Sequence, residues 1–365
     1  MFLTALIFLL ILSVMVFVHE LGHFLMAKRA GIAVEEFGFG LPPRVWGKKI
    51  GNTLYSLNAL PLGGFVKLYG EDGEEDRSQI QKTEIKGRAF YEASLWQRLR
   101  VLLAGVFMNL VLAIVCFSVV YYSLGIPTYT GKVMVTQFAE GSAAQAAGLK
   151  VDDIIVTAKG EKITRAAQLS QIAQANIGQP LTLEIQRGET PLVITVTPRA
   201  VPAEKAGLEG PLGVYISDSV LSKNYPFWQM PFLGAKEGFK ESIAWGGRVL
   251  AGLRSLIVTA LVKKEVPRDV AGPIGMFQLT GQAAEGGLLA LISLTGILSV
   301  NLAIMNVLPL PALDGGRLIF LGYEAVTRRR PNPKVEGWVN MLGMAFLLGL
   351  MALISLNDIL RIVRK

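Results

Sequence analysis

Long runs of uncharged, mostly apolar residues alternate with charged segments along this chain of 365 residues. Four of the runs approach or exceed the roughly 18 residues that cross a bilayer as a helix. They occupy residues 2–18, 101–122, 288–307 and 339–356. One such run is compatible with a buried core helix of a soluble protein, but four in one chain predict a polytopic α-helical membrane protein.

In the segments between these runs, apolar residues alternate with polar ones at the spacing of strands or of an amphipathic helix. Residues 131–199 alternate short apolar stretches with turns, which predicts a β-rich module. Strand-like stretches at residues 54–57 and 65–68, with turn residues between them, predict the two arms of a β-hairpin. After Pro231, apolar residues recur at helical spacing and alternate with lysine and arginine. This pattern favours a helix on the membrane surface over a short fifth span.

The composition agrees with a membrane protein. The chain is 52% hydrophobic and 18% charged, whereas a soluble domain is about 25% charged. The first run lacks a basic leader and a small-residue cleavage site, so we expect a retained helix and not a signal peptide. The net charge of +8 is typical of a membrane protein with basic cytoplasmic loops, and no nucleic-acid partner is predicted.

The distribution of cations predicts the orientation. Residues 28–100 carry 12 lysines and arginines and residues 317–334 carry five, while residues 1–18 carry none. The positive-inside rule therefore assigns both basic segments to the cytoplasm, against a weak opposing signal from three cations in the C-terminal tail. The first and third apolar runs then cross the membrane in the same direction, and their cytoplasmic ends lie at similar depth.

Both histidines of the chain lie at the end of the first apolar run, in the stretch His19-Glu20-Leu21-Gly22-His23. HExxH on a helix is a zinc-protease pattern, because residues i and i+4 share one face and can bind one metal ion. Glu20 lies about 100° around the same helix and can act as a general base without being a ligand. An unpaired His-Glu-His set is costly inside a membrane, which favours a functional site over a chance pattern.

A catalytic zinc ion needs three protein ligands and one open position. The chain has no third histidine, and its single cysteine, Cys116, lies in the middle of the second run, displaced in depth. A carboxylate must therefore complete the site. Glu35 and Glu36 lie in the loop beyond the helix, whereas Asp314 follows the third run on the same predicted side of the membrane.

The surroundings of Asp314 support its choice as third ligand. Pro309 and Pro311 break a helix there, and Gly315 and Gly316 permit sharp turns. Irregular backbone at membrane depth is tolerated only where it lines a cavity or is buried in protein. The alternative is an ordinary turn aspartate before two glycines.

These motifs resemble the site-2 protease family of intramembrane zinc metalloproteases, and within it the bacterial RseP/RasP type. The resemblance rests on the HELGH stretch, on Gly38-Phe39-Gly40, on Ala104-Gly105-x-x-x-Asn109 and on the Asn-x-x-Pro-x-Pro-x-Leu-Asp-Gly-Gly run at residues 306–316. Residues 140–149 and 152–155 are similar to PDZ domains of bacterial proteases. Many family members have two PDZ domains, but this chain has room for one.

The resemblance implies that His19, His23 and Asp314 bind Zn²⁺, that Glu20 activates water, and that Asn306 helps to hold the unwound backbone of the substrate. It implies cleavage of transmembrane segments of single-pass regulators, for example anti-sigma factors or signal-peptide remnants. The expected location is the bacterial inner (plasma) membrane, with the zinc site near the cytoplasmic side and the PDZ domain outside the cytoplasm. This domain binds peptides or only excludes bulky substrates.

The expected fold is a four-helix polytopic membrane protein with a re-entrant β-hairpin and one extracytoplasmic PDZ domain. An ordinary cytoplasmic hairpin is the alternative, whereas a re-entrant one has an edge that accepts an extended substrate strand. The predicted segments are a first transmembrane helix at 1–27, a cytoplasmic loop with the hairpin at 28–97, a second helix at 98–124, the PDZ domain at 125–200, a linker with the surface helix at 201–287, a third helix with the Asp314 motif at 288–316, a cytoplasmic loop at 317–336 and a fourth helix at 337–358.

Two other functions remain open at this point. A membrane zinc protease that acts on prenylated or soluble peptides is expected to use a glutamate ligand from a downstream helix and to need no PDZ domain. A non-enzymatic membrane scaffold with a PDZ domain would carry the histidine motif as a vestige. The intact Glu20 argues against the scaffold.

Overall fold

The computed structural model of the protein describes residues 1–71, 88–200, 210–263 and 272–363. Parts of the predicted loop at 28–97 and of the predicted linker at 201–287 lie outside these residues. The chain forms two compact units, the first made of Met1–Ser123 with Phe227–Lys365 and the second of Leu124–Pro226.

The described residues form nine α-helices and eight strands, with a short 3₁₀ turn at Phe90–Glu92. The helices are α1 (Phe2–Arg29), α2 (Leu95–Leu124), α3 (Ala143–Ala146), α4 (Ala166–Ala175), α5 (Met230–Lys263), α6 (Pro273–Glu285), α7 (Leu288–Val307), α8 (Asp314–Thr327) and α9 (Pro333–Val363). The strands are β1 (Val34–Ile50), β2 (Thr53–Leu68), β3 (Ile126–Phe138), β4 (Ile154–Ala158), β5 (Glu161–Lys162), β6 (Leu181–Arg187), β7 (Thr190–Val196) and β8 (Val214–Lys223).

Four helices of the first unit are long and apolar enough to cross a membrane, as the apolar runs predict. They are α1, α2, α7 and the Lys334–Leu356 part of α9, with mean hydropathies of 2.7, 2.5, 2.2 and 2.1. The most apolar stretch of α9 is only 6% buried within the protein. An apolar surface of this size is a feature of segments that meet lipid or another protein.

The helix predicted after Pro231 is present as α5, but it is packed into the helical unit. At Gly238 a Cβ atom would lie 2.6 Å from Ser118 Oγ and 2.7 Å from the Ile114 carbonyl oxygen of α2. Tyr121 of α2 donates a hydrogen bond of 3.1 Å to Glu241 of α5. Glycine thus permits a close helix–helix approach that an amphipathic pattern alone does not reveal. Its place relative to a membrane surface stays a prediction.

A β-hairpin follows α1, but its turn is not where the sequence predicts it. Stretches 54–57 and 65–68 both lie in β2, and the reversal occurs between Ile50 and Thr53, at Gly51 with φ of 62°. The prediction of these stretches as the two arms was therefore wrong. The residues around Gly63 and Gly64, which look like a turn, instead bend β2 against α1.

Because β2 bends, the two long strands form a sheet of four adjacent segments. Residues 54–57 pair with 46–49 on one side and with 36–39 on the other. Residues 36–39 also pair with 64–67, and Val34 pairs with Leu68. Segment 64–68 is therefore one edge of the sheet.

This edge is packed along α1. A Cβ atom at Gly63 would lie 2.6 Å from Val16 Cγ1, and Ser13 donates a hydrogen bond to the Pro61 carbonyl. The Phe24 and Phe37 rings stack with centroids 4.6 Å apart. The hairpin and the helix that carries the histidines thus form one packed body.

The second unit contains the predicted β-rich module but extends to Pro226, beyond the predicted end at residue 200, because β8 in the predicted linker pairs with β3. Its strand order is β7-β6-β4-β3-β8, with β5 paired to β4 and with antiparallel pairing throughout. The core between the sheet and α4 is made of aliphatic side chains, among them Val133, Val135, Ile155, Leu169, Leu183 and Ile185, each at most 1% exposed.

An ion pair with a buried aspartate ties two strands of this unit together. Asp153, the residue before β4, is buried and accepts hydrogen bonds of 2.8 Å from Arg187 Nε and Nη2 and from the Lys150 amide. Burial by itself raises the pKa of Asp153, but the hydrogen bonds from Arg187 and Lys150 outweigh it and hold the pKa below its usual range. The carboxylate therefore stays charged at neutral pH.

Candidate active site

The two histidines of α1 face the interior of the helical unit. Each is 6% exposed, and their Nε2 atoms lie 3.1 Å apart. This proximity follows from the i, i+4 spacing on a regular helix.

Asp314 joins the histidines from the other end of the chain. Its Oδ2 lies 3.0 Å from His19 Nε2 and 3.3 Å from His23 Nε2. In the described part of the chain, these three side chains are the one group of potential ligands that could hold a metal ion. Asp314 is the first residue of α8, where the unpaired N–H groups of a helix N-terminus favour a carboxylate.

The backbone around Asp314 depends on glycine. A Cβ atom at Gly315 would lie 1.9 Å from the Leu308 carbonyl oxygen, and one at Gly316 would lie 2.5 Å from that of Leu310. Helix α7 ends at Val307 and α8 begins at Asp314, so the predicted break in the helix is present. The two glycines let the chain fold back tightly enough for the carboxylate to reach the histidines.

Each histidine is held by its other ring nitrogen. His23 Nδ1 lies 2.8 Å from the Val101 carbonyl oxygen. That oxygen can only accept, so Nδ1 carries the proton and Nε2 presents its lone pair. His19 Nδ1 lies 3.3 Å from Asn109 Nδ2.

The amide oxygen of Asn109 can also form a hydrogen bond with His19. Its Oδ1 is buried and has no hydrogen-bond partner among the described residues. Rotation of this amide by 180° brings Oδ1 to the Nδ1–H of His19 and removes the unsatisfied atom. Both histidines then present Nε2 to the same point.

Glu20 lies beside the hairpin edge. Its Oε2 accepts a hydrogen bond of 3.1 Å from the Val66 amide, and it is not in the group of ligand atoms. The predicted base is thus close to the site and on the side where β2 passes α1.

A model of Peptidase family M50 matches residues 7–350. The chain belongs to peptidase family M50. It is 31% identical over 426 aligned positions to the zinc metalloprotease RasP of Geobacillus kaustophilus, with 96% of each chain covered. It is 28% identical over 435 positions to the regulator of sigma-W protease RasP of Bacillus subtilis, with 98% of this chain and 99% of that protein covered.

This family M50 chain is therefore a zinc metalloprotease, and its apolar helices give it the character of a membrane protein. The alternative of a non-enzymatic scaffold is not supported, because the Geobacillus kaustophilus relative, which is aligned over 96% of this chain, is named as a zinc metalloprotease.

The donor atoms fit zinc. Bonds of about 2.0–2.1 Å at tetrahedral angles separate donor atoms by about 3.3 Å. The separations here are 3.1 Å between the two Nε2 atoms and 3.0 and 3.3 Å from these to Asp314 Oδ2. The same Oδ2 is buried without a well-formed hydrogen bond among the described residues, which is costly for a carboxylate unless a cation is bound.

The other candidates for a metal ligand lie elsewhere in this M50 protease. Glu35 pairs with Lys67 at 2.7 Å and Glu36 with Arg44 at 3.0 Å, both within the hairpin. Cys116 is buried in α2, outside the group of ligand atoms.

Asn306, the predicted substrate-binding residue, lies directly beside the ligand atoms. Its Nδ2 is 3.3 Å from His19 Nε2, and the residue is 9% exposed. An amide in this position can donate a hydrogen bond to a carbonyl group that approaches the three ligand atoms.

Glycine and asparagine in α2 have roles that sequence reasoning missed. A Cβ atom at Gly105 would lie 2.4 Å from His23 Nε2 and 2.6 Å from His19 Cε1. A Cβ atom at Gly22 of α1 would lie 2.3 Å from the Ala104 carbonyl oxygen. The Ala-Gly-x-x-x-Asn pattern therefore provides both the space for the imidazoles and the Asn109 contact. The spacing of glycine and asparagine in this pattern could have indicated a helix contact. The sequence does not show that this contact is made with α1.

Proposed function

We propose that this M50 protease hydrolyses peptide bonds within transmembrane segments of single-pass regulatory proteins. His19, His23 and Asp314 are the zinc ligands, and Glu20 is the general base. The observation that carries the proposal is the position of two ligands in α1, a helix with a mean hydropathy of 2.7. A metal site built into such a helix is suited to substrates that arrive within the bilayer.

The chemistry is divided between the metal and the chain. Zinc, when bound, polarises a carbonyl group and lowers the pKa of a water molecule. Glu20 accepts the proton from the attacking water and passes it to the leaving amine. Asn306 holds the substrate carbonyl in place by donating from its amide.

The hairpin supplies the binding surface. A helical substrate hides its scissile carbonyl in the helix hydrogen bonds, so cleavage requires local unwinding. The unwound backbone needs new partners, because unpaired amides and carbonyls are costly away from water. The 64–68 edge of the sheet can provide them by strand addition, and Val66 on this edge already contacts Glu20. This arrangement supports a membrane-inserted hairpin over an ordinary cytoplasmic one.

The second unit acts as a single PDZ domain outside the cytoplasm, and the zinc site lies near the cytoplasmic side. The distribution of lysine and arginine in the loops supports this orientation. In this scheme, each predicted segment from 1–27 to 337–358 lies on the side of the membrane, or crosses it, as the sequence predicts. The module admits only substrates whose external domain has been removed, either by binding a new C-terminus or by excluding bulky partners.

The name of the Bacillus subtilis relative refers to the regulation of sigma-W. By analogy, we assign single-pass anti-sigma factors as the first substrate class and remnant signal peptides as the second. Both are short apolar helices that a protease in the inner membrane meets by diffusion in the bilayer.

The test uses purified wild-type protein and Glu20→Gln with a tagged single-span substrate in detergent. Wild type should cleave, whereas Glu20→Gln should lose at least about a hundredfold in rate, the lower end of a general-base contribution. Zinc content serves as the control and should be the same in both proteins. Equal cleavage by the two would refute the mechanism.

A further inference from the structure

Two alternate amides on the edge of segment 64–68 that is not paired with β1 are already occupied by carboxylates. The Val66 amide donates to Glu20 Oε2 at 3.1 Å, and the Leu68 amide donates to Glu71 Oε2 at 3.3 Å. The opposite edge of segment 64–68 pairs with β1. Alternate residues of a strand present their N–H groups to the same edge, so these amides are neighbours in the row that an added strand would use.

Glu71 is held in place by Arg317 of α8. Its Oε1 accepts a hydrogen bond from Arg317 Nη1 while its Oε2 accepts from Leu68. Arg317 lies almost one turn beyond Asp314 on the same helix. Glu71 thus connects the end of the hairpin edge to the helix that carries the third ligand.

There is space for this carboxylate to move. Glu71 and Arg317 line a cavity of about 450 Å³, together with Arg98, Phe320 and Glu324. The Glu71 side chain is 19% exposed. A side chain beside such a space can leave the edge without disturbing the packed strands.

Strand addition requires a substrate carbonyl at each outward amide. The carbonyl that reaches Val66 displaces Glu20, and the released carboxylate can then act as the proposed general base. The carbonyl that reaches Leu68, about 6.6 Å further along the strand, must displace Glu71, for which the reaction has no other use.

We propose that Glu71 is a specificity-determining residue, a removable cap on the substrate-binding edge that Arg317 holds in place. In the free enzyme it occupies the position of a main-chain carbonyl of the extended substrate. A substrate pairs with Leu68 only when it unwinds this far and displaces Glu71, so Glu71 raises the free energy that a segment needs to bind in the extended form. This inference rests on the proposed function and adds to it a residue that weakens substrate binding and thereby raises KM.

The cap predicts an unusual direction of change. In Glu71→Ala, the substrate replaces water at Leu68 and no longer has to break a charge-assisted hydrogen bond. KM should fall by about threefold to tenfold, since the contact is partly exposed and lies at the lower end of such interactions. The kcat should stay within about twofold, because Glu71 does not touch the reacting atoms. Glu71→Gln keeps an acceptor for Leu68 and should restore much of the wild-type KM.

The experiment measures kcat and KM for the full-length chain with a tagged single-span substrate in detergent. The variants are Glu71→Ala and Glu71→Gln, with Glu36→Ala as the matched control, since it removes a carboxylate of the same hairpin that pairs with Arg44, outside segment 64–68. Glu36→Ala should leave KM unchanged. If Glu71→Ala is not recovered as a folded protein, the same decrease in KM is required of Glu71→Ser.

The outcomes separate the cap from the proposed function. Cleavage by wild type and its loss in Glu20→Gln test the function, and only the KM ratio tests the cap. A wild-type protein that cleaves no membrane segment overturns both. If wild type cleaves and Glu20→Gln does not, a decrease in KM in Glu71→Ala with reversal in Glu71→Gln supports the cap, whereas an unchanged or increased KM overturns it.

Discussion

Each imidazole at the proposed zinc site is directed by a residue that does not contact the metal position. The Val101 carbonyl fixes the tautomer of His23, and Asn109 does the same for His19. HExxH and its third carboxylate could be proposed from the sequence, because their chemistry is a property of residue type. The partners of Nδ1 could not, since they depend on how α2 packs against α1.

The residue-scale prediction concerns Asp314. Asp314→Asn replaces the charged side chain of a proposed zinc ligand by a neutral amide, so the purified protein should retain well below half of the wild-type zinc. The decrease in zinc affinity should exceed the roughly 10- to 100-fold that loss of a ligand's supporting partner causes. Metal analysis after dialysis measures it.

The matched control is Glu285→Gln, which removes an exposed carboxylate at the end of α6. Its zinc content should equal that of wild type. If Asp314→Asn also retains a full complement of zinc, the third ligand is a different residue.

At the scale of elements, local and non-local features differ in how well they are predicted. The four apolar helices could be predicted because each is coded by one continuous run. The hairpin turn could not, because the glycines around Gly63 look more like a turn than Gly51-Asn52, and only pairing with residues 36–39 decides between them. Helix α5 shows the same limit, since its close contact with Ser118 depends on Gly238 meeting a distant helix.

The contact between α1 and α2 carries the element-scale prediction. In Gly105→Ala the new Cβ would overlap both imidazoles, at 2.4 Å from His23 Nε2. The helices must separate or the ligands must turn, and a displacement of about 1 Å can cost about a hundredfold in rate. We expect kcat/KM to fall by at least that factor, together with a loss of zinc, while helix content measured by circular dichroism is unchanged.

Gly252→Ala in α5 is the control for the same substitution, because no described atom other than its chain neighbours and the backbone of its own helix lies within 4 Å of the position that its Cβ would take. Activity and zinc content should equal those of wild type. Full activity in Gly105→Ala would show that the two helices are not held at this distance in the working enzyme.

At the scale of the whole molecule, the site joins α1 to α8, elements that begin at Phe2 and Asp314. The distribution of cations and the parity of the spans could predict that these residues lie at similar depth. They could not predict lateral proximity, because four helices can be arranged in several orders around one another. The lateral contact comes from the packing of α1 and α7 and from the glycines after Asp314.

The central claim is that the cleaved bond lies within a membrane segment. The most direct measurement is the mass of both products from a single-span substrate, incubated with wild type and with Glu20→Gln. We predict one or a few cuts by wild type, all inside the apolar segment, and intact substrate with Glu20→Gln. Cuts confined to the flanking polar sequences, or the same products from both proteins, would contradict the account.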